Sequence, residues 1–262
     1  MTGVALRRRG GVCALFLVLV AGPVSARPVR RVFQPKDLDF QGGGVAELTM
    51  QFGPVRGQTA YRVSSPAFEL DLGLTRNLEL DVTGEFAIGG PNDATFTFDR
   101  TSPDNTWASL RTGLLDVSTG NDDAWTVGVQ AGPQFPTARG NSGLGVEGLI
   151  LLGWRHRDAI TVLNVGGLLD PDPGTGQPRP AGVGGGLDVT VPIDAAERWA
   201  LYGGLSAVRY LTTYPYQMNF LAGVIWSPSD RLDVSLTGLV GPAGGGDRWG
   251  VLLGFTPRVR LW

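Results

Sequence analysis

Apolar and polar residues alternate with a period of two through most of the chain, the spacing of a strand whose two faces meet different surroundings. From Phe68 the apolar set is Phe68, Leu70, Leu72 and Leu74, with Glu69, Asp71 and Gly73 between its members. Thr75-Arg76-Asn77 turns the chain, and the pattern restarts as Leu78, Leu80, Val82, Gly84, Phe86 and Ile88 against Glu79, Asp81, Thr83, Glu85 and Ala87. Two such runs across so short a turn predict a hairpin. The unit recurs at Trp125–Ala131, at Met218–Trp226, and after Pro228-Ser229-Asp230-Arg231 at Leu232–Val240. Weaker copies cover residues 44–53, 106–115, 143–154, 159–168, 181–192 and 198–209, and a last one runs from Arg248 to Trp262. The pattern predicts about twelve strands of roughly ten residues, the length that crosses a bilayer when tilted.

The connections differ in length. Thr75–Asn77, Arg155–Asp158, Ile193–Glu197 and Pro228–Arg231 are short, whereas Gly89–Asn105, Leu169–Pro180 and Gly241–Asp247 are longer and rich in Gly, Pro and Asp. Bacterial membrane barrels place short turns in the periplasm and long loops outside. The link Val117–Asp123 is long for an inner turn, and Pro136–Ser142 is short for an outer loop. An even strand count puts both chain ends on the periplasmic side. A soluble β-sandwich would alternate in the same way, so periodicity does not separate the two. Strand length and the tryptophans favour the membrane: Trp107, Trp125, Trp154, Trp199, Trp226, Trp249 and Trp262 nearly all fall at strand ends, where amphipathic rings prefer the headgroup level.

The N-terminus sets the compartment. Arg7, Arg8 and Arg9 precede the apolar run Val12–Ala21, followed by Pro23 and the small-residue ending Val24-Ser25-Ala26. That order is a secretory signal peptide, expected to be cleaved after Ala26, and the apolar run is too short to span a membrane as a helix. Cys13, the only cysteine, lies inside the run, so the mature chain carries no disulfide, thiolate metal site or cysteine nucleophile. Loss of the three arginines takes Lys+Arg from 22 to 19 against 24 Asp+Glu; the resulting acidic balance argues against a nucleic-acid partner. The 40 glycines, 18 prolines and 7 tryptophans suit many strands joined by tight turns. The domain reading is therefore a signal peptide at 1–26, a net-basic periplasmic leader at 27–43 and an all-β, transmembrane antiparallel up-and-down barrel at 44–262. The leader is read as flexible, with entry into an acidic lumen as the less favoured alternative.

The charges follow the pattern. Asp71, Asp81, Glu85, Glu147, Asp188 and Asp233, together with Arg111, Arg258 and Arg260, fall opposite the apolar set. If the apolar face meets lipid, these residues face the lumen, because a basic residue at lipid mid-depth costs about 2–4 kcal/mol. Two readings stay open: an internal salt-bridge network that fills the barrel, or a wet pathway favouring cations. Catalytic chemistry is poorly provided for. The only histidine, His156, lies in the turn Arg155-His156-Arg157-Asp158 and reads as a solvated residue. One histidine and no mature cysteine give no first-row metal site. Gly184–Gly186 and Gly244–Gly246 lack the Lys-Ser/Thr and helix of a phosphate loop. No cofactor and no metal is called for.

The hairpin Phe68–Val82, the segments Trp226–Val234 and Pro133–Thr137, and the closing Gly250–Arg258 resemble outer-membrane transporters grouped as the "MetA-pathway of phenol degradation" family. The resemblance runs from about residue 44 to the end of the chain, and it implies a channel for small aromatic or other hydrophobic compounds, with no catalytic residue to carry over. The chain thus reads as an outer-membrane channel of a Gram-negative-type cell for passive passage of small solutes. Its expected partners are outer-membrane lipid, the solute, and barrel-assembly and periplasmic chaperone machinery. The rival readings are a non-conducting structural or anchoring barrel and, less favoured, a barrel enzyme.

Overall fold

The computed structural model describes residues 41–57, 61–88, 101–103, 105–120, 123–138, 141–172, 178–212, 216–242 and 247–262. The expected signal peptide, the leader as far as residue 40 and most of the long connection Gly89–Asn105 lie outside the described residues. The strands are β1 (Val45–Arg56), β2 (Tyr61–Gly73), β3 (Leu78–Ile88), β4 (Thr101–Pro103), β5 (Thr106–Gly120), β6 (Asp123–Phe135), β7 (Gly145–His156), β8 (Ala159–Leu169), β9 (Ala181–Pro192), β10 (Trp199–Tyr210), β11 (Gln217–Ser229), β12 (Leu232–Val240) and β13 (Trp249–Arg260).

Twelve of these form the wall of a closed antiparallel barrel, each paired with its neighbours along the chain. The seam joins β1 to β13, from Val45 opposite Arg260 to Arg56 opposite Trp249. β4 is a short extra strand that pairs only with the end of β3. Closure matters because every strand edge is then hydrogen-bonded, the condition for a sheet to sit in hydrocarbon. Among the described residues no helix is long and apolar enough to cross a membrane. Both ends of the wall lie on one rim, together with the turns at 74–77, 157–158, 193–198 and 230–231; the longer loops lie on the other rim.

Burial is inverted relative to a soluble protein. Ile150, Leu152, Val165, Leu187, Leu201 and Leu236 are exposed on the outside, while Glu79, Asp81 and Asp188 have no exposed surface and Arg111 almost none. A soluble sandwich would bury the first set and wet the second, so the apolar face of the alternation is a lipid face. Aromatic rings mark both edges of that face. On the short-turn side Trp125 stacks on Trp154 and Trp199 on Trp226, with centroids 5.7 and 5.9 Å apart; each pair sits directly opposite across neighbouring strands. On the other side Tyr61 meets Trp249 edge-on at 6.0 Å, and the Arg56 guanidinium lies 4.3 Å from the Tyr61 ring.

Several details differ from the pattern-based expectation. β1 continues to Arg56 and β2 begins at Tyr61, well before Phe68. Bulges between Gln51 and Gly53 and between Ser64 and Ala67 shift the phase there, which hides a two-residue period. The link Val117–Asp123 is short after all, because β5 runs on to Gly120 with further bulges on the way. Leu74 belongs to the turn rather than to β2. Trp107 is not a rim residue: it is buried inside the barrel, its indole nitrogen donating to the Gly132 carbonyl at 3.3 Å.

Candidate functional site

The interior of the barrel has two unlike walls. The first runs from β12 through the seam to β6 and is built from charge. The Arg258 guanidinium lies against Glu47 and Asp233, with a further contact to Asp233 Oδ1 at 3.3 Å, tying β13 to β1 and β12. Beside it the hydroxyls of Thr49 and Thr256 are 3.0 Å apart across the seam. On the next strands Arg111 pairs closely with Glu79 and lies 3.7 Å from Asp71. Gln130 donates to Asp81 Oδ2 at 3.2 Å and to Ser109 Oγ at 2.7 Å. The Glu79 carboxylate also accepts the backbone N–H of Gln41 at 2.5 Å, so the chain ahead of β1 reaches inside the short-turn rim, where Gln41 is buried. These groups are nearly without solvent contact, and burial is tolerable because each guanidinium meets carboxylates on two strands.

Nearer the long-loop rim the charge continues. Arg62 holds Asp247 through two bonds of 2.5 and 2.9 Å and reaches Glu85 at 3.4 Å; Ser64 bonds the same Glu85. Asp247 belongs to the connection before β13, so this pair pins that connection to the wall. Glu69, Asp71 and Asp81 bring a carboxylate oxygen each within 4.8 Å of the others. Oxygens of that kind suit a hard cation, but Arg111 already places positive charge against Asp71.

The second wall, β7 to β11, is richer in apolar side chains and glycine, with Asp188, Asn164 and Thr190 buried among them and Glu147 and Asn219 beside a cavity. Its inward residues include Leu149, Leu151, Ile160, Val162, Leu221 and Ile225, separated by glycines at 153, 166, 184, 186, 204 and 223. The glycines let side chains from neighbouring strands lie flat. A Cβ at Gly223 would sit 2.6 Å from the Tyr202 hydroxyl, because that ring crosses the β11 backbone to bond Thr237. A Cβ at Gly204 would sit 2.6 Å from Asp188 Oδ1. Tyr202, Ala200 and Ile225 form a small buried cluster with Leu221 packed on it.

Two cavities border the second wall, the larger also bounded by β5 and β6, and a third, of about 340 Å3, lies against Asp233 and Arg258 at the short-turn rim. The one toward the long loops, of about 120 Å3, is lined by Glu147, Leu149, Asn164, Leu168, Ser206 and Asn219, with glycines as its floor. The one toward the short turns, of about 350 Å3, is lined by Arg76, Thr126, Gly153, Arg155, Ile160 and Val162. The cavity-facing surfaces mix hydrogen-bonding groups with aliphatic ones, which suits small solutes with both characters.

Of the nine charged residues singled out from the sequence, Asp71, Asp81, Asp188, Asp233, Arg111 and Arg258 are buried in the interior. Glu85 is half-buried near the long-loop rim and Glu147 lines the smaller cavity. Arg260 is different: it is exposed at the end of β13, its Nε donating to the Trp262 carbonyl at 3.2 Å. The structure adds Glu47 and Arg62, which lie in weakly alternating or bulged stretches, and the whole inward apolar set of β7–β11. That set had a signal, since Leu221 and Ile225 fall on the face opposite Phe220, Val224 and Trp226. His156 is the last residue of β7 rather than a turn residue. It is exposed, its Nδ1 lies 2.5 Å from Asp123 Oδ1, and its ring is 5.7 Å from Trp154.

No family model matches the chain, and no curated protein matches it. Solved structures do. The NanC porin superposes with a TM-score of 0.56 at 9% identity, covering 81% of this chain and 98% of that one. A loop-deletion mutant of OmpT, an outer membrane protein of Vibrio cholerae, gives 0.45 at 11% identity over 82% and 97%. An anion-selective porin from Comamonas acidovorans gives 0.38 at 10% identity over 82% and 98%. The likeness to NanC is one of fold alone, and the fold is that of an outer-membrane β-barrel with twelve strands in its wall.

Proposed function

We propose that this chain is an outer-membrane channel that passes small solutes passively, with no catalytic step. One observation carries the reading: a closed barrel wears its apolar face outward and holds cavities within, two of them bordering a glycine-rich wall. The mixed lining of those cavities suits small solutes of hydrophobic or aromatic character, in line with the resemblance to the MetA-pathway transporters. The signal-peptide pattern at residues 1–26 supports export across the inner membrane, with cleavage after Ala26. Of the two uses open to the interior charges, the geometry favours the internal network, because Arg111 and Arg258 are each engaged by two carboxylates. The exposed His156–Asp123 pair outside the cavities gives an enzyme reading little support.

A second reading has its own observation. Leu151, Val162, Ala200, Ile225, Asp188, Glu79 and Asp81 have no solvent contact, which favours a barrel plugged by its own side chains and serving as a structural element. Liposome swelling separates the two. Vesicles carrying refolded mature protein should swell in small neutral solutes faster than vesicles without it; equal rates at verified insertion would favour the structural barrel.

A further inference from the structure

We propose that Leu151 and Val162 form the permeability barrier of this barrel, an apolar partition that sets which solutes cross; this rests on the channel reading above. The residues on either side define it. Along the inward row of β8, Ile160 and Val162 line the cavity toward the short turns, whereas Asn164, Gly166 and Leu168 line the cavity toward the long loops. Along β7, Glu147 and Leu149 belong to the long-loop cavity, and Gly153 and Arg155 to the other. Leu151 stands between them, borders neither cavity, and has no exposed surface; Val162 likewise has none. Val162 thus closes the short-turn cavity at the level where Leu151 separates Leu149 of one cavity from Gly153 of the other. On the neighbouring strand Asp188, in register with Val162 and Gly204, lies against the Cβ position that Gly204 leaves empty. On the charged wall a cavity of about 340 Å3 at the short-turn rim reaches Asp233 and Arg258, while Glu47, Asp71, Glu79, Asp81 and Arg111 are buried.

A narrow aliphatic layer between two wetter spaces excludes ions by dewetting. An ion crossing it sheds water that aliphatic side chains do not replace, while an uncharged solute with an apolar face loses little. The partition thus selects for small neutral or weakly polar molecules against inorganic ions. Beside it Gly204 leaves the β10 backbone bare, and the Asp188 carboxylate occupies the space its Cβ would take.

Single-channel recording and liposome swelling with potassium chloride and with small neutral sugars test this on the refolded mature chain. Two variants are used: Leu151→Ala, which shortens one side of the layer, and Val162→Thr, which keeps its volume and adds a hydroxyl. Heat-shifted gel mobility verifies that each barrel has folded. Removing or wetting a dewetted layer should raise ion conductance by about threefold or more in both variants, with a smaller change in sugar flux. A silent wild type with conducting variants would support the partition equally well. A conducting wild type with both variants unchanged overturns the partition and leaves the channel reading in place. Silence of wild type and of both folded variants, in ions and sugars alike, overturns both. An increase in Asp188→Asn with none in the two apolar variants would overturn it too, by placing the barrier on charge.

Discussion

From β12 round to β6 the barrel interior carries Asp233, Arg258, Glu47, Asp71, Glu79, Arg111 and Asp81; from β7 to β11 it carries Leu151, Val162, Tyr202 and Ile225 over glycines, with Asp188 buried among them. Both walls bury what they carry, yet the interactions differ in kind. A buried guanidinium held by carboxylates depends on all of its partners, since removing one leaves charge in a place with little water. Aliphatic groups over bare backbone depend on shape, lose only contacts when trimmed, and tolerate no added atom where backbones are close. Rigidity is thus concentrated in one half of the lumen and adjustable space in the other.

The largest expected effect lies on the charged side. Arg111→Ala takes the guanidinium from Glu79 and Asp71 and should cost about 3–5 kcal/mol in urea unfolding of the lipid-embedded barrel. Pairing Arg111→Met with Glu79→Leu should recover part of that loss, because the closest buried partner goes with the guanidinium while Asp71 stays behind. A single variant as stable as wild type would mean that the two walls do not differ in the way described. Next comes the glycine wall. Gly223→Ala would put a Cβ 2.4 Å from the Leu236 carbonyl oxygen and 2.6 Å from the Tyr202 hydroxyl, an overpacking that should cost about 1–3 kcal/mol in the same assay. Gly148→Ala is the control, since its nearest neighbour would be 3.9 Å away and no loss is expected. A smaller effect belongs to the outer surface: a double-mutant cycle on Trp125 and Trp154 should return a coupling of about 0.5–1.5 kcal/mol, and zero coupling would make the stack incidental. Smallest is His156→Gln, which should stay within about 0.5 kcal/mol of wild type, as exposed ion pairs contribute little; a large loss would assign the pair with Asp123 a structural task.

The two walls were also unequally legible in the sequence. Around Phe68–Ile88 one face is charged and the other apolar, so period, facing and hairpin could all be read from residue types. In β7 to β11 the inward face mixes Leu, Ile, Val and glycine with Glu147, Asn164, Asp188 and Asn219, so alternation gives the facing where a polar residue marks it but does not single out Leu151 and Val162 among the apolar residues. Phase was lost wherever a bulge inserted a residue, which concealed the outer halves of β1 and β2 and with them Arg62. The pairing of Arg258 with Glu47 lay beyond reading because it depends on the register in which the first and last strands meet.

That seam has a consequence for assembly. The contact between Glu47 and Arg258 joins residues 211 positions apart, so the ends must find one another after nearly all intervening pairings exist, and closure of so long a span is slow. A sheet can close in several registers, and backbone hydrogen bonds discriminate poorly among them. Here a slip of one residue would turn the polar rows of β1 or β13 into lipid, and a slip of two toward Thr256 would take Glu47 from Arg258 and leave that guanidinium with Asp233 alone. The buried triad of Glu47, Arg258 and Asp233 therefore acts as a proofreading key for the last step of construction, accepting one alignment of first and last strand and penalising its neighbours.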